Sequence, residues 1–287
     1  MNIRELVLPF LLMPFFANAQ HGKVFDDLSL RSDVLQMERK YAIYLPPDYE
    51  LSERSYPVLY LLHGGGDDQT GWVQFGEVLH IADKAIKAGL ATPMIIVMPD
   101  ANTKRRGYFN DPKGDWNYED FFFQELMPHV EKTYRIKGEK RYRAVAGLSM
   151  GGGGSFMYAL HHPELFSSAC PLSASCGPIT LQDAGRWLER RSDTKYTDDE
   201  KKAYFDSHSA VQLVKTMPAD KIKSVRWYID CGDDDFLFEG NSLMHIEMRK
   251  KDIPHEYRVR DGAHTWTYWR ESLPNVLEFV SMAFHQH

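Results

Sequence analysis

The sequence predicts an α/β protein with a mostly parallel central sheet and helices on both of its faces. Short apolar runs alternate with segments of helical periodicity along most of the chain, as in a parallel sheet whose strands are connected by helices. Several of these runs end at glycine or aspartate, which is typical of strands that are buried on both faces. With 43% hydrophobic and 26% charged residues, the composition is that of an ordinary globular protein.

The strands can be placed from these runs. An alternating pattern between about residues 34 and 45 predicts an early, half-buried strand, which Pro46 and Pro47 end. Continuous apolar runs predict the later strands, at 58–62, 93–98, 143–146, 168–172, 225–229 and 257–259.

Helical periodicity occupies the segments between the strands. It predicts helices at 75–89, 118–134, 155–162, 242–250 and 273–284. In the second of these, Phe122, Leu126 and Val130 recur at every fourth position, which places them on one face. Residues 179–223 are highly charged and have no strand pattern, so they predict a helical insertion over the rim of the sheet, before the strand at 225–229.

Residues 1–19 predict a cleaved signal peptide. Arg4 precedes an apolar run over residues 6–16, and Ala17-Asn18-Ala19 supplies a small-x-small cleavage pattern. The run is too short to cross a bilayer of roughly 30 Å, so no membrane anchor is expected. The mature chain is therefore expected to be one domain, residues 20–287, in the periplasm or outside the cell.

Charge and cysteine content narrow the class of partner. A formal net charge of −6 gives no electrostatic reason to expect a nucleic acid. Cys170 and Cys231 lie among apolar residues in predicted strands, and we expect them and Cys176 to be free, buried thiols. The chain has no Cys-x-x-Cys spacing, and neither a metal nor another cofactor is expected.

The strongest chemical signal is a serine between two glycines. Gly147-Leu148-Ser149-Met150-Gly151 matches Gly-x-Ser-x-Gly, after a predicted strand and before a predicted helix. In this motif a strained strand-to-helix turn exposes the hydroxyl at the sheet edge, and the glycines let neighbouring backbone come close. The helix N-terminus directs its dipole toward a developing oxyanion. We therefore expect Ser149 to be a nucleophile on an α/β-hydrolase fold.

A serine hydroxyl is a weak nucleophile at neutral pH and needs a base that is oriented by an acid. His264 lies just after the last predicted strand, where the base belongs in the chain order Ser, acid, His. Asp230, Asp233, Asp234 and Asp235 follow or end the preceding strand. Asp230 lies within the strand end and the next two suit a turn, so Asp235 is the predicted acid and Asp234 the alternative.

The other predicted site residues flank these loops. His63-Gly64-Gly65-Gly66 follows an early strand, where a second oxyanion donor belongs. We expect the backbone N–H groups of Met150 and Gly65 to bind the oxyanion, with Gly64 or Gly66 as alternatives to Gly65. Trp72, Trp266 and Trp269 are the predicted substrate-binding residues.

The motifs and their order resemble the esterase D superfamily and, within it, the bacterial feruloyl and acetyl-xylan esterases of carbohydrate esterase family one. The resemblance spans about residues 35–284. It rests on residues 61–66 with Trp72, then 122–128, 147–152, 162–166, 231–235, and 262–266 with Trp269. It implies a Ser-Asp-His triad at Ser149, Asp235 and His264.

The resemblance also implies an activity. It indicates a serine carboxylic-ester hydrolase that removes feruloyl or acetyl groups from plant polysaccharide such as xylan, so the expected partner is an esterified polysaccharide or oligosaccharide. A siderophore esterase and an extracellular acyltransferase of the same fold are alternatives, whereas the signal peptide argues against a cytosolic S-formylglutathione hydrolase. An inactive carbohydrate-binding module would not need an activated serine.

Export can be tested on the native protein. Mass spectrometry of protein from the periplasm or the medium should find an N-terminus at or near Gln20, because the signal peptidase would cut after Ala19. Native protein that retains residues 1–19 would contradict the expected export.

Overall fold

The computed structural model describes residues 21–102, 107–189 and 194–285. Its strands form one sheet. They are β1 (Lys23–Ser32), β2 (Met37–Leu45), β3 (Val58–Leu62), β4 (Ile95–Pro99), β5 (Arg143–Leu148), β6 (Ser168–Leu172), β7 (Arg226–Gly232) and β8 (Glu256–Arg260). Across the sheet the order is β1-β2-β4-β3-β5-β6-β7-β8. The predicted signal peptide lies outside the described residues.

The sheet is parallel from β4 to β8, and β2 pairs antiparallel with both β1 and β4. The predicted α/β class with a mostly parallel sheet is therefore confirmed. β1 was not predicted from the sequence. Its register with β2 shifts between Phe25 and Leu28, which interrupts the alternation on which such a prediction depends.

Helices connect the strands and cover both faces of the sheet. They are α1 (Gly71–Gln74), α2 (Val78–Lys87), α3 (Tyr118–Phe121), α4 (Met127–Thr133), α5 (Met150–His161), α6 (Leu181–Glu189), α7 (Asp198–His208), α8 (Ala210–Thr216), α9 (Ala219–Lys223), α10 (Phe238–Lys250) and α11 (Trp266–His285). A π-helical segment, Phe122–Leu126, joins α3 to α4, so the predicted helix at 118–134 is confirmed. The described part of the insertion over 179–223 is helical, as predicted, and contains α6 to α9.

Alternate side chains of the strands divide between two apolar cores. In β3, Val58, Tyr60 and Leu62 face the core that contains α5, α8 and α10. Leu59 and Leu61 face the second core, which contains α2 and α11. Because both faces are covered, β3 is fully buried, as the continuous apolar run indicated.

Helix α5 begins earlier than its sequence indicates. The run from Gly151 to Gly154 has poor helix propensity, so the predicted start was residue 155. The helix begins at Met150 because tertiary contact overrides propensity, and all four glycines are buried.

The helices and the cysteines can be compared with the expected lack of a membrane anchor and of disulfides. None of the helices among the described residues combines the length and apolarity that a bilayer crossing needs. Cys170, Cys176 and Cys231, all within the described ranges, are free and buried, which confirms the prediction. Burial raises the pKa of the Cys231 thiol to about 12, so it is protonated and inert at neutral pH.

Candidate active site

Ser149 lies on the turn between β5 and α5, in a strained backbone conformation. Its φ and ψ are 54° and −114°, outside the regions that L-residues favour. The Ser149 N–H donates to the carbonyl of Leu172 at 2.9 Å. The Ser149 carbonyl accepts from the N–H groups of Gly153 and Ser175, both at 3.0 Å. Hydrogen bonds to α5 and to the strand end beside it therefore hold the strained turn.

The flanking glycines are required by close backbone contact. A Cβ atom at Gly147 would lie 2.6 Å from the carbonyl oxygen of Gly151, and one at Gly151 would lie 2.5 Å from that of Leu62. Both distances are shorter than real Cβ contacts allow. The Gly-x-Ser-x-Gly pattern therefore brings the first turn of α5 against the end of β3.

His264 and Asp235 reach Ser149 from the loops after β8 and β7. His264 Nε2 is 2.9 Å from Ser149 Oγ, and His264 Nδ1 is 2.8 Å from Asp235 Oδ2. An ionised carboxylate can only accept, so Nδ1 carries the proton and Nε2 is left to accept from the serine hydroxyl. The structure thus brings together the three residues that the sequence indicated, in the order Asp, His, Ser.

The Asp235 carboxyl is buried and well supplied with donors. Burial alone would raise its pKa, but hydrogen bonds from His264, the Leu237 N–H and Ser173 outweigh that effect and hold the pKa below its usual range. The carboxyl is therefore ionised at neutral pH. Ser173 in turn accepts a hydrogen bond from the indole of Trp269 at 3.0 Å.

The other aspartates of this region have different surroundings. Asp230 is fully buried and accepts from the hydroxyls of Tyr228 at 3.1 Å and Tyr268 at 2.5 Å. Asp233 and Asp234 are exposed on the turn, and Asp233 accepts from the Gly262 N–H at 3.1 Å. Of the four, the structure places Asp235 against His264.

The loop after β3 is fixed by a buried histidine. His63 Nδ1 donates to the carbonyl of Gly64 at 2.7 Å, and Nε2 accepts from the Ala101 N–H at 2.8 Å. Burial lowers the pKa of His63, consistent with this neutral tautomer. The loop places Gly65 beside Ser149 and Met150 in the wall of a common cleft.

This cleft has a volume of about 470 Å³, a size that suits a small organic group. It is lined by Gly65, Phe109, Ser149, Met150, Ser175, Trp187, Tyr204, Phe236, Leu237 and His264. Trp187 belongs to α6 and Tyr204 to α7, so the helical insertion supplies part of an aromatic wall. Phe236 is 75% exposed, and its ring lies 4.5 Å from that of His264.

The predicted substrate-binding tryptophans are not in this wall. Trp72 is fully buried and donates to the carbonyl of Leu62 at 3.0 Å. Trp269 is buried beneath His264, with the two rings edge to face at 4.8 Å. Trp266 packs against Trp72 at 5.2 Å. This placement differs from the sequence-based assignment, because Trp72 and Trp269 lie in the core, the partly exposed Trp266 packs against it, and none of the three lines the cleft.

The aromatic residues that do line the cleft were missed. Phe236 directly follows Asp235, and that adjacency was a usable signal. Trp187 and Tyr204 lie in the charged insertion, and their distance in sequence from every motif gave no indication of their position.

A serine, an imidazole and a buried carboxylate in one hydrogen-bonded series, at a helix N-terminus, form the arrangement of a serine hydrolase. Comparison with known proteins narrows the class, and the chain is a serine ester hydrolase of α/β fold. It belongs to the Esterase family, whose model matches residues 32–280.

Individual relatives agree with this class. An esterase of Mycobacterium tuberculosis is 40% identical over 144 residues, and an endo-1,4-beta-xylanase/feruloyl esterase of Xylanibacter ruminicola is 37% identical over 135. The matched segments are 49% and 43% of this chain, but only 29% and 18% of those longer proteins. A solved ferulic acid esterase is 36% identical, with a TM-score of 0.80, and the match covers 92% of this chain and 99% of that one.

The buried Asp235 carboxylate predicts a specific acid sensitivity. Its pKa is depressed in the folded state, so its contribution to stability is present above the unfolded value of about 3.9 and is lost as pH falls through the folded pKa. Asp235→Asn should lower the free energy of unfolding at neutral pH by about 1.5–3 kcal/mol. Urea unfolding between about pH 7 and about pH 3 should show this difference shrinking on acidification.

Asp234→Asn is the matched control, because Asp234 is exposed on the same turn. It should follow the wild type across the pH range. A stability difference between Asp235→Asn and wild type that does not change with pH would contradict the expected ionised state of Asp235.

Proposed function

We propose that Ser149, His264 and Asp235 form the catalytic triad of this ester hydrolase and that its substrates are feruloyl or acetyl esters of plant polysaccharide. The observation that carries the proposal is the continuous hydrogen-bonded series from Asp235 through His264 to Ser149, at the base of an aromatic cleft.

The reaction proceeds as two acyl transfers. Ser149 Oγ attacks the ester carbonyl as its proton passes to His264 Nε2, and Asp235 stabilises the resulting imidazolium. When the tetrahedral intermediate collapses, the C–O bond to the alcohol breaks and His264 protonates that alcohol. Water then attacks the acyl-serine with His264 again as base, which releases the acid and restores the Ser149 hydroxyl.

The oxyanion of each tetrahedral intermediate is bound by backbone donors. Met150 opens α5, where the first N–H groups of a helix have no intrahelical partner. Met150 and Gly65 both line the cleft beside Ser149, and their backbone N–H groups are the proposed donors.

The aromatic wall supports an aromatic acyl group. Phe109, Trp187, Tyr204 and Phe236 offer faces and edges for stacking, each contact contributing about 0.5–1.5 kcal/mol beyond area burial. The solved relative named as a ferulic acid esterase and the xylanase/feruloyl esterase relative agree with this substrate class. Because an acetyl group also fits a larger cleft, we propose activity on both, with a preference for feruloyl, in a protein exported to the periplasm or beyond.

Replacement of the nucleophile tests the mechanism. Ser149→Ala should lower kcat for methyl ferulate and for p-nitrophenyl acetate by a factor on the order of 10⁴ or more, because no hydroxyl remains to form the acyl-enzyme. Circular dichroism should show an intact fold. A folded Ser149→Ala protein with near-wild-type kcat would refute the mechanism.

The acid can be tested with adjacent residues. Asp235→Asn should lower kcat by about 10³ to 10⁴, because the asparagine amide favours the wrong tautomer of His264. Asp234→Asn should change kcat by no more than about twofold, since the side chain is exposed on the turn. The reverse order of effects would assign the acid to Asp234.

The acyl preference can be tested at the cleft wall. Wild-type kcat/KM should be higher for methyl ferulate than for p-nitrophenyl acetate once both are corrected for intrinsic ester reactivity. Trp187→Ala should lower kcat/KM for methyl ferulate by about tenfold and have a smaller effect on the acetyl ester.

Leu181→Ala is the matched control for Trp187→Ala, because Leu181 is an exposed residue of the same helix and does not line the cleft. It should leave both rates close to wild type. A hundredfold preference for the acetyl ester, with no selective effect of Trp187→Ala, would identify an acetyl esterase.

A further inference from the structure

A partly buried histidine joins the nucleophile helix to the insertion. His161 is the last residue of α5, the helix that begins directly after Ser149. Its Nδ1 is 2.7 Å from Glu119 Oε1, and its Nε2 is 2.8 Å from the carbonyl oxygen of Ser207. Glu119 belongs to α3, and Ser207 lies in the last turn of α7, so one imidazole connects α5 to two other helices.

The chemistry of these partners fixes the charge of the imidazole. A carbonyl oxygen and an ionised carboxylate are both acceptors, so both ring nitrogens of His161 must donate. The ring is therefore an imidazolium. It stands at the C-terminal end of α7, where the helix dipole favours a positive charge.

The surroundings of His161 agree with this charge. Burial lowers its pKa, but the hydrogen bond and charge of Glu119 and the Ser207 carbonyl outweigh burial, and the pKa of His161 is raised. Among the described residues, other titratable groups also face the pair. One is Tyr158, whose pKa is raised mainly by burial and also by the charge of Glu119. His162 Nε2 is 3.7 Å from Glu119 Oε1, and the ring of His208 in α7 lies edge-on to that of His161 at 5.9 Å.

The contact between His161 and the end of α7 lies behind the wall of the cleft. Tyr204, one turn before His208 in α7, stacks on the His208 ring with centroids 4.3 Å apart and an interplanar angle of 14°. Phe109 meets the same ring edge-on at 5.7 Å. Tyr204 and Phe109 both line the cleft, so the His208 ring at the end of α7 packs against two aromatic wall residues.

We propose that His161 is a positioning residue, which as an imidazolium bound to Glu119 fastens the end of α7 to the nucleophile helix and so holds Tyr204 in the cleft wall. Binding of bulky aromatic acyl groups therefore depends on the charge of His161, whereas the chemistry at Ser149 does not. The inference rests on the proposed function, because the wall affects turnover only if the cleft binds an aromatic ester.

The dependence on pH has a definite sign. A group whose pKa is raised on folding contributes stability below its unfolded pKa, about 6.5 for histidine, and this contribution is lost as pH rises through the folded pKa. Deprotonation removes the charge and leaves His161 only one N–H to donate. The attachment of α7 should therefore weaken on the alkaline side.

The first measurement is independent of substrate. Hydrogen exchange of the α7 peptide should be about tenfold faster in His161→Gln than in wild type at the same near-neutral pH, because the end of the helix opens more often. His80→Gln is the control, since His80 is an exposed histidine of α2, on the opposite face of the sheet from α5. It should exchange as wild type does.

The second measurement separates binding from chemistry. Between about pH 6 and about pH 9, the wild-type KM for methyl ferulate should rise with pH, whereas in His161→Gln it should be about three- to tenfold higher at the acidic end and independent of pH. The KM for p-nitrophenyl acetate should change less. In a Tyr204→Leu background, His161→Gln should have no further effect on KM, because His161 acts by holding Tyr204 in the cleft wall.

The outcomes distinguish the two proposals. Unchanged α7 exchange in His161→Gln, or a pH-dependent KM that persists in this variant, would overturn the role of His161. Near-wild-type turnover by folded Ser149→Ala would instead overturn the proposed function and leave the exchange result standing. If His161→Gln does not fold, Glu119→Gln removes the charge of the partner and should give the same faster exchange and higher KM.

Discussion

The active site depends on one close approach, that of the first turn of α5 to the ends of β3 and β6. The contact leaves no room for a side chain at Gly147 or Gly151, and it holds Ser149 in a strained conformation that few residues adopt. The hydroxyl faces His264, and the N-terminus of the helix lies beside the loop that contains Gly65. The same close packing therefore positions both the nucleophile and the proposed oxyanion donors. The loops after β7 and β8 only have to bring Asp235 and His264 to a serine that the backbone has already placed.

A second layer of buried residues supports those loops. Asp230 binds two tyrosine hydroxyls, and one of these tyrosines, Tyr268, lies so close to Gly262 that a Cβ there would come within 2.6 Å of its ring. Trp269, a residue of α11, donates a hydrogen bond from its indole to Ser173. Ser173 in turn hydrogen-bonds the Asp235 carboxylate. None of these side chains lines the cleft. They hold the imidazole and the carboxylate in the relative position that proton transfer requires.

Much of the scaffold could be predicted because its signals are local. Continuous apolar runs located β3 and β6, and Gly-x-Ser-x-Gly located the turn at Ser149, since each pattern is required by the contact it makes. The choice of Asp235 over Asp234 was made from the expected geometry of a turn, and of the two it is Asp235 whose carboxylate contacts His264. The aromatic wall could not be predicted, because the position of the insertion over the cleft depends on long-range contacts such as that between His161 and Ser207. The tryptophans were misplaced for a related reason. Nearness in sequence to His264 does not say whether an indole points into the core or into the cleft.

The packed surroundings of Ser149 and the insertion between β6 and β7 are under different evolutionary constraints. Around Ser149 almost any change of backbone or side-chain volume disturbs packed groups, so drift there is limited by the fold itself. Trp187 is 39% exposed on α6, and a surface position of this kind tolerates substitution at a cost of roughly 0.5 kcal/mol or less in stability. Residues of the proposed acyl-binding wall can thus be exchanged at little cost to the fold. A lineage built on this chain could acquire new ester specificities by mutation in a short stretch of its gene, without passing through an inactive ancestor.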